Sequence, residues 1–194
     1  MLENVIEDLD VYSFRLGLLK LSCIFMVFLY PTIWPVIVYR YGYWCTHKCK
    51  IPIINQILFI FYFFIKRLSE ILTGIEIGHS ANIGKGLYVA HLGDCVIGNK
   101  AEIGDYCSIR NGCTIGGAGR KENYGHPIIG NCVYIGAGAK VIGKIKVGNN
   151  VMIGANAVVV KDVPDNAVVG GVPAKLISFE GSEDFVHYRI KRKR

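Results

Sequence analysis

From Ile77 onward an aliphatic residue returns every six positions, with polar residues and glycines between. The series runs Ile77, Ile83, Val89, then Ile97, Ile103, Ile109, Ile115, then Ile129, Ile135, Val141, Val147, Ile153 and Val159, thirteen rungs in all. Glycine follows the rung at nine of them. Four residues past a rung the chain is small or apolar, as at Ala81, Ala101, Cys107, Val133, Val151 and Val163. An α-helix would smear this pattern around its surface, and a long strand would show period two without glycine punctuation. Six residues fit a short strand, a turn and another short strand, with glycine where the backbone bends. The pattern predicts a parallel β-helix whose coils stack Ile and Val into a continuous interior ladder.

Two interruptions break the rhythm. In GLYVAHLGDCVIG, residues 86–98, the step from Val89 to Ile97 is eight residues, and the slip carries His91 and Asp94. The second is the 14-residue step from Ile115 to Ile129, which expels the loop GGAGRKENYGHPI, residues 116–128, with His126. Loops expelled from a regular solenoid lie on its surface and commonly carry function. Both interruptions hold a histidine, which favours function over drift. GGAG within this loop is not a phosphate-binding P-loop, because no Gly-Lys-Ser/Thr follows.

Before Lys66 the pattern is different. Leu21 to Val38 contains no charge over eighteen residues, the lower limit for a membrane span, but Pro31 and Pro35 argue against one clean helix. A second run, Ile51 to Ile65, would reach only about 22 Å as a helix, short of the ~30 Å hydrocarbon layer. YRYGYWCTHKCK between them is aromatic and basic, the composition of a headgroup interface. The expectation is two helical segments on the membrane surface through residues 1–66, helped by the basic tail HYRIKRKR; the alternative is a helical cap buried between subunits.

Composition adds little that alters this division. Of 22 Phe, Trp and Tyr residues, 15 precede Lys66, so the two regions meet different surroundings. The net charge of +7 comes from scattered basic residues apart from the tail, and no nucleic-acid partner is expected. Seven cysteines without a secretory signal indicate reduced, packed thiols in the cytoplasm. Cys45, His47 and Cys49 lie close together, but no second ligand pair follows, so a turn between helices is expected there and no metal. The organisation is then a hydrophobic α-helical region at 1–73, a β-helix at 74–178 and a basic tail at 179–194.

The stretches GIEIGHSANIGKG, SIRNGCTIGGAGR, GHPIIG, VYIGAGAKVIG, IGANAVVVKDVP and GGVPAKLI, in that order, resemble the left-handed β-helix acyltransferases and most closely their serine acetyltransferase branch. The resemblance covers somewhat more than half of the chain. It implies a left-handed coil, a homotrimer and acetyl-CoA as acyl donor. It places the general base at His91 and the acid that orients it at Glu76, where serine acetyltransferases carry Asp. Neutral imidazole suits the task, since the attacking hydroxyl must lose its proton as it attacks a thioester. His126 matches a histidine of the acceptor pocket, and Asp94 is a further candidate there. Backbone groups of Gly117, Ala137 and Ala155 match positions along the pantetheine arm, and Lys161 and Lys175 would meet the nucleotide phosphates.

Departures from the branch bear on the acceptor. Gly125 stands where the branch has an Arg that grips the substrate carboxylate, Ala90 replaces an Asp and Asn99 a Glu. The acidic helical domain of that branch is not recognisable in the first third. These absences, with the aromatic N-terminal region, lead to the expectation of a saccharide hydroxyl as acceptor, in surface-polysaccharide biosynthesis. The alternative is serine O-acetyltransferase of cysteine biosynthesis. A noncatalytic scaffold would not need Glu76, His91 and His126 together. A zinc β-helix hydratase would need His79, His91 and His126 at a different spacing.

Overall fold

The computed structural model describes residues 2–15, 17, 27–48 and 52–186. From Ile75 the chain winds through five coils of a three-faced prism whose strands pair in parallel, coil upon coil. Face A stacks β1 (Ile75–Ile77), β4 (Cys95–Ile97), β7 (Thr114–Gly116), β10 (Lys140–Ile142) and β13 (Val158–Val159). Face B stacks β2 (Asn82–Ile83), β5 (Glu102–Ile103), β8 (Ile128–Ile129) and β11 (Lys146–Val147). Face C stacks β3 (Tyr88–Ala90), β6 (Ser108–Arg110), β9 (Tyr134–Ile135), β12 (Met152–Ile153) and β14 (Val168–Gly170), and β15 (Lys175–Ser178) closes it antiparallel.

All thirteen rungs point inward and are buried. Full burial of each such side chain is worth about 1.5–3 kcal/mol, so the ladder is the main cohesive element. Val163, which the sequence pattern assigns to a position four past a rung, itself bridges to Val147 on face B. The ladder then reaches Val169, six residues on, which completes the fifth coil. Cys95, Cys107, Cys113 and Cys132 are buried free thiols of the prism, and desolvation pushes Cys95 and Cys107 up to about 12.

A solenoid leaves the strand edges of its first coil open, and an open edge must be covered. The first third does this. Helices α1 (Leu2–Arg15) and α2 (Ile33–His47) lie over coil one. The Tyr12 hydroxyl donates to Val89 O at 2.9 Å and accepts from Val89 N, and the Tyr39 hydroxyl donates to Ala81 O at 2.8 Å. Arg40 donates to Ile83 O and Gly84 O and is held by Asp8, its Nε 2.8 Å from Oδ2. Asp8 in turn accepts from Leu87 N. Burial raises the Asp8 carboxyl pKa, against the opposing pull of Arg40 and the Leu87 N–H.

This cap accounts for part of the composition that suggested a membrane surface: Tyr12, Tyr39 and Arg40 are consumed in capping. Among the described residues no helix is long and apolar enough to cross a membrane. The second apolar run belongs to helix α3 (Pro52–Thr73), which continues through Lys66, Arg67 and Glu70 into β1. The first run lies partly outside the described residues, as does Cys49. His47 ends α2 with its ring stacked on Tyr43.

Candidate active site

The eight-residue step is the turn His91–Leu92–Gly93–Asp94 between β3 and β4. Three of its residues have positive φ: His91 at 67°, Gly93 at 104° and Asp94 at 35°. Left-handed backbone at His91 and Asp94 is strained for residues with a Cβ. The turn is held by Gly93 N donating to Thr73 O at 2.9 Å and Gly112 N donating to Gly93 O at 3.2 Å. Val89 stays in the ladder and Ala90 is buried, so the two extra residues put His91 on the prism's C-to-A edge, exposed.

One coil down, Ala90 pairs with Arg110, whose side chain rises to the histidine. Arg110 Nη1 lies 3.4 Å from His91 Nε2. Its Nε donates to the Tyr134 hydroxyl at 3.1 Å, and the guanidinium lies over the Tyr134 ring. A guanidinium only donates, so this contact is a hydrogen bond when Nε2 accepts and the ring proton is on Nδ1. That is the tautomer a base needs when it works through Nε2. Glu76 is exposed on β1, in register with Val96 of β4, and among the described residues no hydrogen bond joins it to His91. Arg110 went unnoticed in the sequence pattern, although it fills a position that is glycine after nine of the thirteen rungs.

Below His91 the same edge descends through Asn111, Ala137 and Ala155, linked by Gly138 N donating to Asn111 O and Asn156 N donating to Ala137 O. His91 and two of the expected pantetheine positions therefore share one line. Lys175 lies on β15, just past the lowest turn of that edge. The other expected residues do not join them. Gly117, His126 and Lys161 sit on the A-to-B edge, the first two on the expelled loop and Lys161 two coils below it.

That loop folds back on itself through an antiparallel bridge between Ala118 and Gly125. It seats the His126 ring directly over Gly117, where a Cβ would come within 2.6 Å of Cε1, so only glycine fits. Tyr124 meets the same ring edge-on at 5.4 Å. His126 Nδ1 is buried and has no hydrogen-bond partner among the described residues. Where the resemblance leaves a gap at Gly125, the space is taken: a Cβ there would lie 2.6 Å from Lys144 Cβ. It is the aliphatic stem of Lys144 that packs on this position. A cleft of about 450 Å³ on the side of face B contains none of the expected site residues.

Comparison with known proteins places this geometry. The family profile described as "Bacterial transferase hexapeptide (six repeats)" matches residues 126–161. A serine acetyltransferase of Helicobacter pylori is 42% identical over 156 residues, which cover 79% of this chain and 85% of that protein. The chain belongs to the serine acetyltransferase family. A second member, from Synechococcus elongatus, is 39% identical over 167 residues; the match takes in 86% of this chain and 63% of that longer relative. Among solved structures, the serine acetyltransferase of Brucella abortus in complex with coenzyme A superimposes with a TM-score of 0.76 at 30% identity, covering 91% of this chain and 67% of that one. The Neisseria gonorrhoeae serine acetyltransferase in complex with serine gives 0.75 at 28%, covering 91% and 68%.

Membership in the serine acetyltransferase family fixes the fold as the left-handed parallel β-helix. It also corrects the expectation of a saccharide acceptor. That expectation weighed Gly125, Ala90 and Asn99 as losses, but relatives at 39–42% identity over most of the chain are serine acetyltransferases. Single missing contacts do not by themselves name another acceptor, and at Gly125 the stem of Lys144 takes the vacated space.

Proposed function

We propose that the protein is a serine O-acetyltransferase that transfers the acetyl group of acetyl-CoA to the serine hydroxyl, with His91 as general base. The observation that carries this reading is the exposed imidazole of His91, Nε2 3.4 Å from Arg110 Nη1, at the head of the edge that Ala137 and Ala155 continue. As the serine oxygen attacks the thioester carbonyl carbon, its proton passes to Nε2. The carbon–sulfur bond then breaks and the thiolate leaves with that proton. Glu76 is assigned to hold Nδ1–H once the acceptor is seated, and His126 and Asp94 to line the acceptor pocket.

The separation of the two histidines onto different edges supports a homotrimer. If the C-to-A edge of one subunit faces the A-to-B edge of the next, His91, Ala137 and Ala155 meet Gly117, His126 and Lys161 across a groove that one chain cannot form alone. Helix α3 also leaves Ile54, Ile57, Phe61, Phe64, Leu68 and Ile71 exposed at alternating steps of three and four, the spacing of a helix-packing seam.

The test is CoA release with serine and acetyl-CoA. His91→Ala should lower turnover by a factor on the order of 100 or more while the assembly stays intact by sedimentation. A folded variant with near-normal turnover would remove His91 from the role of base.

A further inference from the structure

We infer that Arg110 is the residue that recognises the acceptor's carboxylate, and that before the acceptor binds it closes the catalytic base. The inference rests on the serine acetyltransferase reading of the site. Arg110 occupies the lone-pair side of His91, with Nη1 3.4 Å from Nε2. While it does, that lone pair is engaged and cannot receive a hydroxyl proton. The contact is at the long end of hydrogen bonding and joins two groups that would repel if the ring were charged, so it is readily exchanged for a better acceptor.

The acceptor brings one. In serine the carboxylate carbon is two bonds from the carbon that bears the hydroxyl. With that oxygen about 2.8 Å from Nε2, the carboxylate falls within about 3–5 Å of the base, inside the reach of the adjacent guanidinium. Arg110 is also anchored for a limited swing. Its Nε is tied to the Tyr134 hydroxyl at 3.1 Å and its Cζ lies 5.4 Å from the centre of the Tyr134 ring, which leaves the terminal nitrogens as the end that faces the histidine. A planar fork held by its Nε is the geometry for a two-oxygen partner.

The same exchange has a second consequence. An uncapped imidazole beside a thioester would activate water and hydrolyse acetyl-CoA. A carboxylate that draws Arg110 away frees Nε2 only when the hydroxyl is in place. The proton balance is that of the proposed reaction: hydroxyl to Nε2, then Nε2 to the departing thiolate.

The test uses the purified full-length protein and measures CoA release with L-serine, with L-serinamide, which keeps the hydroxyl and amine without the carboxylate, and with acetyl-CoA alone. Arg110→Met should raise KM for serine roughly 10- to 150-fold, the cost of one charge-assisted contact. It should raise serinamide turnover, since no carboxylate is then needed to free the base, and raise release in the absence of acceptor. Arg110→Lys should recover part of the serine preference. Should Arg110→Met not fold by circular dichroism, Arg110→Gln carries the same comparison. Retention of the parental serine-to-serinamide ratio in a folded Arg110→Met or Arg110→Gln protein overturns the inference. So does loss of that ratio in Lys144→Met, with the Arg110 variants normal, which would move the recognition to Lys144. A parent that acetylates neither serine nor serinamide refutes the proposed function itself, and this inference with it.

Discussion

Arg40→Met tests whether the first third of the chain is a cap for the solenoid. Met keeps much of the length and apolar stem of Arg40 and removes its donors. Three acceptors lose their partner: Asp8, paired at 2.8 Å with both side chains under 5% exposed, and the carbonyls of Ile83 and Gly84. Stranding a buried charge costs about 3–5 kcal/mol. Two carbonyls left short of a donor would each add on the order of 1 kcal/mol if water stayed out. The sum has a ceiling, because Asp8 can take up a proton. Burial already raises its pKa, and without Arg40 the main opposing pull is gone. The expected loss is therefore about 3–5 kcal/mol, or a fall in Tm of roughly 6–20 °C for a chain of this size. The sign with pH follows from the same group. A carboxyl with its folded pKa above the unfolded value favours folding most below the unfolded value, and that contribution disappears as pH rises through the folded value. The deficit of Arg40→Met should accordingly grow as pH is raised from the ordinary carboxylate range toward neutrality. Urea unfolding of parent and variant, followed by circular dichroism at one fixed protein concentration across several pH values, measures both quantities. A loss below about 1 kcal/mol, against the 3–5 expected for a stranded buried charge, would show that α1 and α2 do not close the first coil.

Gly117→Ala should unseat His126, because the added Cβ would fall 2.6 Å from Cε1; acetyl transfer should drop at least tenfold with little change in Tm, and full activity would show that the ring position is irrelevant. Gly125→Arg alone should bring no gain on serine, since Lys144 holds the space. Combined with Lys144→Gly it should lower KM for serine, and a gain from the single change would mean that the loop opens away from Lys144. Both are read by CoA release against serine concentration.

Most of the solenoid was legible in the residues because its physics is local. A rung every six residues must point inward at each coil, and the two irregular steps announced themselves as breaks in an otherwise regular ladder, each marked by a histidine. Where the pattern misled, the cause was contact between distant segments. The aromatic and basic residues of the first third looked like a membrane surface because their partners, the backbone groups of Ala81, Ile83, Gly84 and Val89, lie more than forty residues away. Val163 looked like a residue past a rung because only pairing with Val147 shows which face it occupies. Gly125 looked like an empty grip because Lys144, nineteen residues on, fills it only after the next coil has passed beneath the loop. Arg110 showed no purpose in sequence for the same reason. Nineteen residues separate it from His91, and one turn of the β-helix brings its guanidinium to 3.4 Å from the imidazole. The sequence by itself determined the coil, the ladder and the histidines that interrupt it. Which residues face one another was decided by the tertiary structure, because stacking coils bring together side chains about one turn apart whatever lies between them.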